Sequence, residues 1–271
     1  MNPIFLDFGS FKIYWYSITM LAAILVGTIL FYKEAKKQKY TDDFLTNLLF
    51  YGIIFGIIGA RLYFVLFNLE YYLSHPIEIL EVWNGGLAIH GAIIGGGAWF
   101  IYYSLKHKIN PLKVLDIAAV SIIIAQAIGR WGNFFNGEAH GIITTRRALE
   151  SMYIPEFIIK GMYINGNYYI PTFYYEFLWN LLGFIVLLII RKKAKKLKAG
   201  QLTGIYFMWY SFARFFIEGM RTDSLMLGSL RIAQVVSILL FIGGAILIFY
   251  PRKDTRVKRL QERNEDNARN I

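Results

Sequence analysis

The chain has 271 residues, 56% of them hydrophobic and 17% aromatic, with 17% charged and a mean hydropathy of +0.43. That apolar excess excludes an ordinary soluble domain and predicts an all-α integral membrane protein. The net charge of +11 falls in short segments between apolar runs, which excludes a nucleic-acid face, and the absence of cysteine excludes disulfides, thiolate metal sites and a thiol nucleophile of the chain's own.

Taken in order, the sequence predicts seven transmembrane helices, over about 13–32, 44–67, 86–105, 112–135, 173–190, 202–218 and 230–250. Residues 1–12 lack a signal-peptide n-region and cleavage site, so the first span is expected to remain in the protein. Lys and Arg number four in 33–43, three in 106–113, six in 191–200 and seven in 251–271, and with seven spans all four segments share one side. The positive-inside rule puts that side in the cytoplasm, with the N-terminus outside and the C-terminus inside. The connection 68–85 agrees, since it carries Glu70, Glu78 and Glu81 and no basic residue.

The expected organisation is therefore a seven-helix membrane domain over 1–250 and a cytoplasmic tail over 251–271. Residues 137–172 form a small extracytoplasmic head between the fourth and fifth helices. Within it, Asn165-Gly166 between alternating apolar residues is a hairpin signal. The glycines at 52, 56 and 59 and at 91, 95, 96 and 97 are expected to let helices pack closely. His75, His90, His107 and His140 show no metal-ligand spacing, and no metal or cofactor is implied.

Polar residues in the spans fall at one depth. With helices two, four and six running outward, Arg61, Arg130 with Asn133, and Arg214 with Glu218 lie toward their outer halves. Tyr16, His90 and Glu176 lie near the outer ends of helices one, three and five. Gln126, Arg130 and Asn133 follow i, i+4, i+7, and Tyr210, Arg214, Glu218 and Arg221 follow i, i+4, i+8, i+11, so each set shares a helix face. Arginine within a span is costly and marks a functional site by default. Two or three arginines with too few carboxylates to neutralise them suit a phosphate, which guanidinium binds bidentately, and a phospholipid headgroup is the phosphate at that depth. The plainer reading of Arg214 and Glu218 is a structural ion pair, and of His90 a packing residue.

The segment Gly129-Arg-Trp-Gly-Asn-Phe-Phe-Asn-Gly-Glu-Ala-His-Gly141 resembles the signature of the bacterial phosphatidylglycerol:prolipoprotein diacylglyceryl transferases. Trp15-Tyr16, Gly59-Ala-Arg61, Gly85-Gly-Leu-Ala-Ile-His-Gly91, Pro171-Thr with Tyr175-Glu176, and Tyr210 with Arg214, Glu218 and Arg221 follow in the family's order. The pattern departs at Phe173 and Tyr174, where Gln-Leu is usual, and at Phe64, where a tyrosine is usual and Tyr63 stands next to it.

The resemblance implies a plasma-membrane enzyme with its active site toward the outer leaflet. It would move the diacylglyceryl group of phosphatidylglycerol to the lipobox cysteine thiol of preprolipoprotein signal peptides, releasing glycerol phosphate. It implies His90, Arg130 and Arg214 as catalytic, with Tyr16, Arg61, Asn133, Asn136, Glu138, Gly141, Glu176, Tyr210, Glu218 and Arg221 binding substrate. The substrates would be the lipid and the signal peptide, both delivered by the bilayer. The alternative from another class is an anion or lipid transporter, which intramembrane arginines also suit. Polar groups displaced to one leaflet and the lack of a detectable repeat speak against it.

Overall fold

A computed structural model describes residues 3–9, 12–194, 197–222, 224–228 and 230–250. The tail expected over 251–271 lies outside the described residues. Seven long helices dominate the described chain, here α1 (Trp15–Lys37), α2 (Asp42–Phe67), α3 (Ile89–Lys106), α4 (Pro111–Asn136), α5 (Thr172–Lys193), α6 (Gln201–Met220) and α7 (Ile232–Phe249). They coincide with the seven apolar runs to within a few residues. Five of them, α1, α2, α4, α5 and α7, are long and apolar enough to cross a membrane. Of the other two, α3 is 18 residues long and α6 carries Arg214 and Glu218.

Helix ends follow local chemistry. The Thr41 hydroxyl accepts from Phe44 N at 3.3 Å, and Asp42 and Asp43 complement the positive end of α2. The α5 helix ends on Arg191, Lys192 and Lys193, whose charges suit a C-terminus.

The described chain forms two compact units, one taking residues up to 31 and from 115 onward, the other residues 32–114. The second unit is built on α2 against α3. A Cβ placed on Gly59 would lie 3.0 Å from Gly95 Cα, and one on Gly91 2.7 Å from the Gly59 carbonyl carbon, so the backbones touch where side chains would prevent it. The close approach runs through Gly59, Gly91 and Gly95, with Gly96 near Gly52; Gly97, expected to share it, faces open space, and Gly56 has only ordinary contact. Between α2 and α3 the chain makes a short helix, Leu69–Ser74, and two 3-10 turns, Pro76–Leu80 and Val82–Asn84.

In the first unit, Ile123 of α4, Leu187 of α5 and Leu202 and Tyr206 of α6 belong to one buried cluster. The α5–α6 contact is locked by two indoles that each donate to the other's backbone, Trp179 Nε1 to Trp209 O at 2.9 Å and Trp209 Nε1 to Trp179 O at 3.1 Å. The N-terminus of α6 is held by Asp116 of α4, whose carboxylate accepts from Gly200 N (2.7 Å), Thr203 N (2.8 Å) and Thr203 Oγ1 (2.7 Å).

The head contains the expected hairpin, with β4 (Tyr163–Ile164) and β5 (Asn167–Tyr169) joined through Asn165 and Gly166, both at positive φ. The sheet is completed by β3 (Ile143–Thr144), which pairs with β5. Short helices over Arg146–Ser151 and Glu156–Gly161, which the sequence pattern did not announce, supply Leu149, Ile158 and Ile159 to a core shared with Phe134 of α4 and Phe173 of α5. The head is thus seated on the ends of those helices by apolar burial. An N-terminal hairpin of β1 (Ile4–Asp7) and β2 (Lys12–Tyr14) precedes α1, where Trp15 stacks on Phe135 with centroids 5.0 Å apart.

Candidate active site

Arg130 of α4, Glu176 of α5 and Arg214 and Glu218 of α6 meet in one buried centre. Arg130 Nε lies 2.7 Å from Glu176 Oε2, Arg214 Nη1 2.7 Å from Glu176 Oε1, and Arg214 Nη2 2.7 Å from Glu218 Oε2. Glu176 therefore bridges the two arginines. The side chains are 3–19% exposed, so the charges interact largely away from water. Only the Arg214 Nη1 contact with Glu176 is aligned as a hydrogen bond. Glu176 Oε2 and Glu218 Oε2 have no aligned hydrogen-bond donor among the described residues, although a guanidinium touches each.

The chain of contacts continues along α4. Arg130 Nη1 donates to Asn133 Oδ1 at 3.4 Å, and Asn133 Nδ2 donates to Glu138 Oε1 at 3.0 Å, just beyond the helix. The spacing Arg130, Asn133 places both on one face, and the positive φ of Gly137 turns the chain so that Glu138 comes back to it.

The other candidates of this unit are placed by separate contacts. Tyr16 of α1 packs on Gly132, where a Cβ would lie 2.9 Å from its Cδ2. Gly141 donates its N–H to Ile170 O at 2.8 Å and forms a β-bridge with Arg221, tying the head to the end of α6. Tyr210 stands 6.2 Å, centroid to centroid, from Tyr206, whose hydroxyl donates to Gln126 Oε1 at 3.2 Å. Asn136 lines a cavity of about 390 Å³ between the end of α4 and β4.

In the other unit, His90 is the second residue of α3 and its ring centroid lies 5.9 Å from that of Tyr63. Arg61 is buried, 6% exposed, and its guanidinium donates to the backbone carbonyls of Glu78, Ile79, Gly85 and Gly86.

Two features differ from the sequence reading. The arginines of α4 and α6 have carboxylates enough, because Glu176 serves both and Glu218 serves Arg214, so the expectation that two or three arginines lack carboxylates for all of them fails for this pair. It holds for Arg61, which has no carboxylate at ion-pairing distance among the described residues. Arg231, at the N-cap of α7, was not singled out, yet its Nη1 donates to the Glu218 carbonyl and holds the end of α6. An arginine directly before an apolar run was the only signal available.

Each guanidinium has five N–H donors; among the described residues one on Arg130, to Asn133, and one on Arg214, to Glu176, make aligned hydrogen bonds, and a second nitrogen of each lies against a carboxylate oxygen. The rest can meet an anion while the carboxylates hold the arginines in place. An arginine–carboxylate centre among apolar helices marks an integral membrane protein with an unusual charged site.

The family model described as prolipoprotein diacylglyceryl transferase matches residues 3–250, and the chain belongs to that family. Relatives include the phosphatidylglycerol–prolipoprotein diacylglyceryl transferases of Ligilactobacillus salivarius (48% identical, 93% of this chain and 94% of that protein) and Listeria innocua (49%, covering 93% and 90%). That of Staphylococcus xylosus is 46% identical over 97% of this chain and 94% of its own length.

Proposed function

We propose that the protein is a phosphatidylglycerol–prolipoprotein diacylglyceryl transferase of the bacterial plasma membrane. It spans the membrane seven times, with the N-terminus outside, the C-terminus in the cytoplasm and the reaction carried out at the outer leaflet. The observation that carries the reading is the family match over residues 3–250, within which the signature segment supplies Arg130 to the charged centre.

The lipobox thiol of the substrate is the nucleophile, in keeping with a chain that has no cysteine. A thiol with an ordinary pKa of about 8.5 reacts as the thiolate, and His90 takes its proton. Sulfur then bonds to the glycerol carbon that carries the phosphate, the C–O bond to phosphate breaks, and glycerol phosphate leaves with the electron pair. The negative charge on the leaving phosphate is met by the N–H donors of Arg130 and Arg214 that have no partner among the described residues, while Glu176 and Glu218 hold the guanidiniums in place. Asn133, Asn136 and Glu138 orient the headgroup. Tyr16, Gly141, Tyr210 and Arg221 shape the surrounding wall.

Purified protein given phosphatidylglycerol and a lipobox peptide should add a diacylglyceryl mass to the peptide and release glycerol phosphate. The same peptide with serine in place of cysteine should gain nothing. No product from folded protein in the presence of both substrates would overturn the reading.

A further inference from the structure

Arg61 resembles a substrate-binding arginine by its place in the sequence pattern, but its chemistry is turned toward its own chain. Nε donates to Ile79 O at 2.9 Å, Nη1 to Gly85 O at 2.8 Å and Gly86 O at 3.0 Å, and Nη2 to Glu78 O. Four of its five donors are thereby committed. Its guanidinium also lies 5.2 Å from the Tyr72 ring centroid, over the face of the ring. No carboxylate lies at ion-pairing distance from it among the described residues; Glu78 and Glu81 are held instead by the Tyr71 hydroxyl (2.8 Å) and Asn84 Nδ2 (2.7 Å).

The segment that Arg61 gathers leads directly into α3. Gly85 and Gly86, both at positive φ, turn the chain, and a Cβ on Gly86 would lie 2.9 Å from Phe64 Cε1. Ala88 then donates its N–H to Ala60 O at 3.1 Å, and Gly91 sits on Gly59. Residues 59–61 of α2 therefore grip the chain on both sides of His90, while Tyr63 stands beside its ring.

We propose that Arg61 is a positioning residue, which fixes residues 78–86 and through them the first turn of α3 and the imidazole of His90, and that it does not contact the lipid phosphate. The proposal rests on the reading of His90 as the thiol base. Lysine has the charge but cannot reach four carbonyls in two directions, so Arg61→Lys separates the two roles.

With the full chain in phosphatidylglycerol nanodiscs, Arg61→Lys should lower kcat about tenfold or more through misplacement of the base. The KM values for lipid and peptide should stay near the parent's, and the acid limb of the pH profile should change. A spin label at Trp83→Cys, the only cysteine in a chain that otherwise has none, should be more mobile with Arg61→Lys than in the parent. Gly85→Ala, which strains the same segment through its positive φ while a Cβ there meets open space and not the guanidinium, should reproduce the kcat loss.

A raised KM for phosphatidylglycerol with kcat retained would overturn the proposal in favour of phosphate contact. Parental kcat in Arg61→Lys with the label no more mobile than in the parent would overturn it as well, and so would an unaffected Gly85→Ala. Parental turnover in His90→Gln would defeat the base reading on its own, while the label would still report whether Arg61 holds the segment.

Discussion

Arg61 and the pair Arg130 and Arg214 are arginines in apolar helices, satisfied in opposite ways. Arg61 gives its donors to backbone carbonyls of one loop, partners that an incoming ligand cannot displace without unfolding that loop. Arg130 and Arg214 share the carboxylate of Glu176 and keep donors in reserve. Carbonyl capture makes an arginine architectural, whereas carboxylate capture leaves it oriented and able to take a second anion. The number of donors left over, more than the presence of the charge, decides which arginine can do chemistry.

The largest effect should come from Glu176, the one group that holds both arginines. Glu176→Gln keeps the shape and removes the charge, leaving two guanidiniums with one carboxylate. Breaking a buried pair in this way costs about 3–5 kcal/mol, read as a lower midpoint in thermal or denaturant unfolding in detergent. A variant as stable as the parent would mean that the centre adds no net stability and exists for positioning alone.

Arg214→Lys comes next. Lysine preserves the charge but cannot hold Glu176 and Glu218 while presenting a planar fork to phosphate. Turnover should fall about 10²-fold or more, the scale seen when a preorganised anion donor is removed, with stability changed far less than in Glu176→Gln. Turnover like the parent's would exclude Arg214 from leaving-group stabilisation and leave that role to Arg130.

How far the sequence could reveal this contrast differs between fold and site. Apolar runs of spanning length located all seven long helices, because lipid and core both select such runs, and Asn165-Gly166 located the head hairpin because few dipeptides adopt its turn. The faces carrying Arg130 with Asn133 and Arg214 with Glu218 were legible from helical spacing. The bridge through Glu176 was not, since nothing local says that a carboxylate on α5 meets guanidiniums on α4 and α6. The partners of Arg61 were hidden for the same reason, because its carbonyls lie 17–25 residues away in short turns of the connection to α3. The short head helices escaped notice because six residues give too little periodicity to read.

The smallest expected effect lies at Asp116, which marks the lower bound of what a partly buried polar group does here. It caps α6 through Gly200, Thr203 and the Thr203 hydroxyl, and α6 carries Arg214 eleven residues further on. Asp116→Ala removes a cap, a loss of about 1–2 kcal/mol, which should appear as a modest drop in the unfolding midpoint. The α5–α6 register should survive, because the reciprocal Trp179 and Trp209 hydrogen bonds lie between the cap and the centre and hold the two helices independently of it. Turnover per folded molecule should therefore match the parent, in contrast to Arg214→Lys. A large loss of turnover at unchanged stability would show instead that the N-terminus of α6 controls the angle at which Arg214 meets Glu176, and the line between architectural and chemical polar groups would have to be redrawn to include the cap.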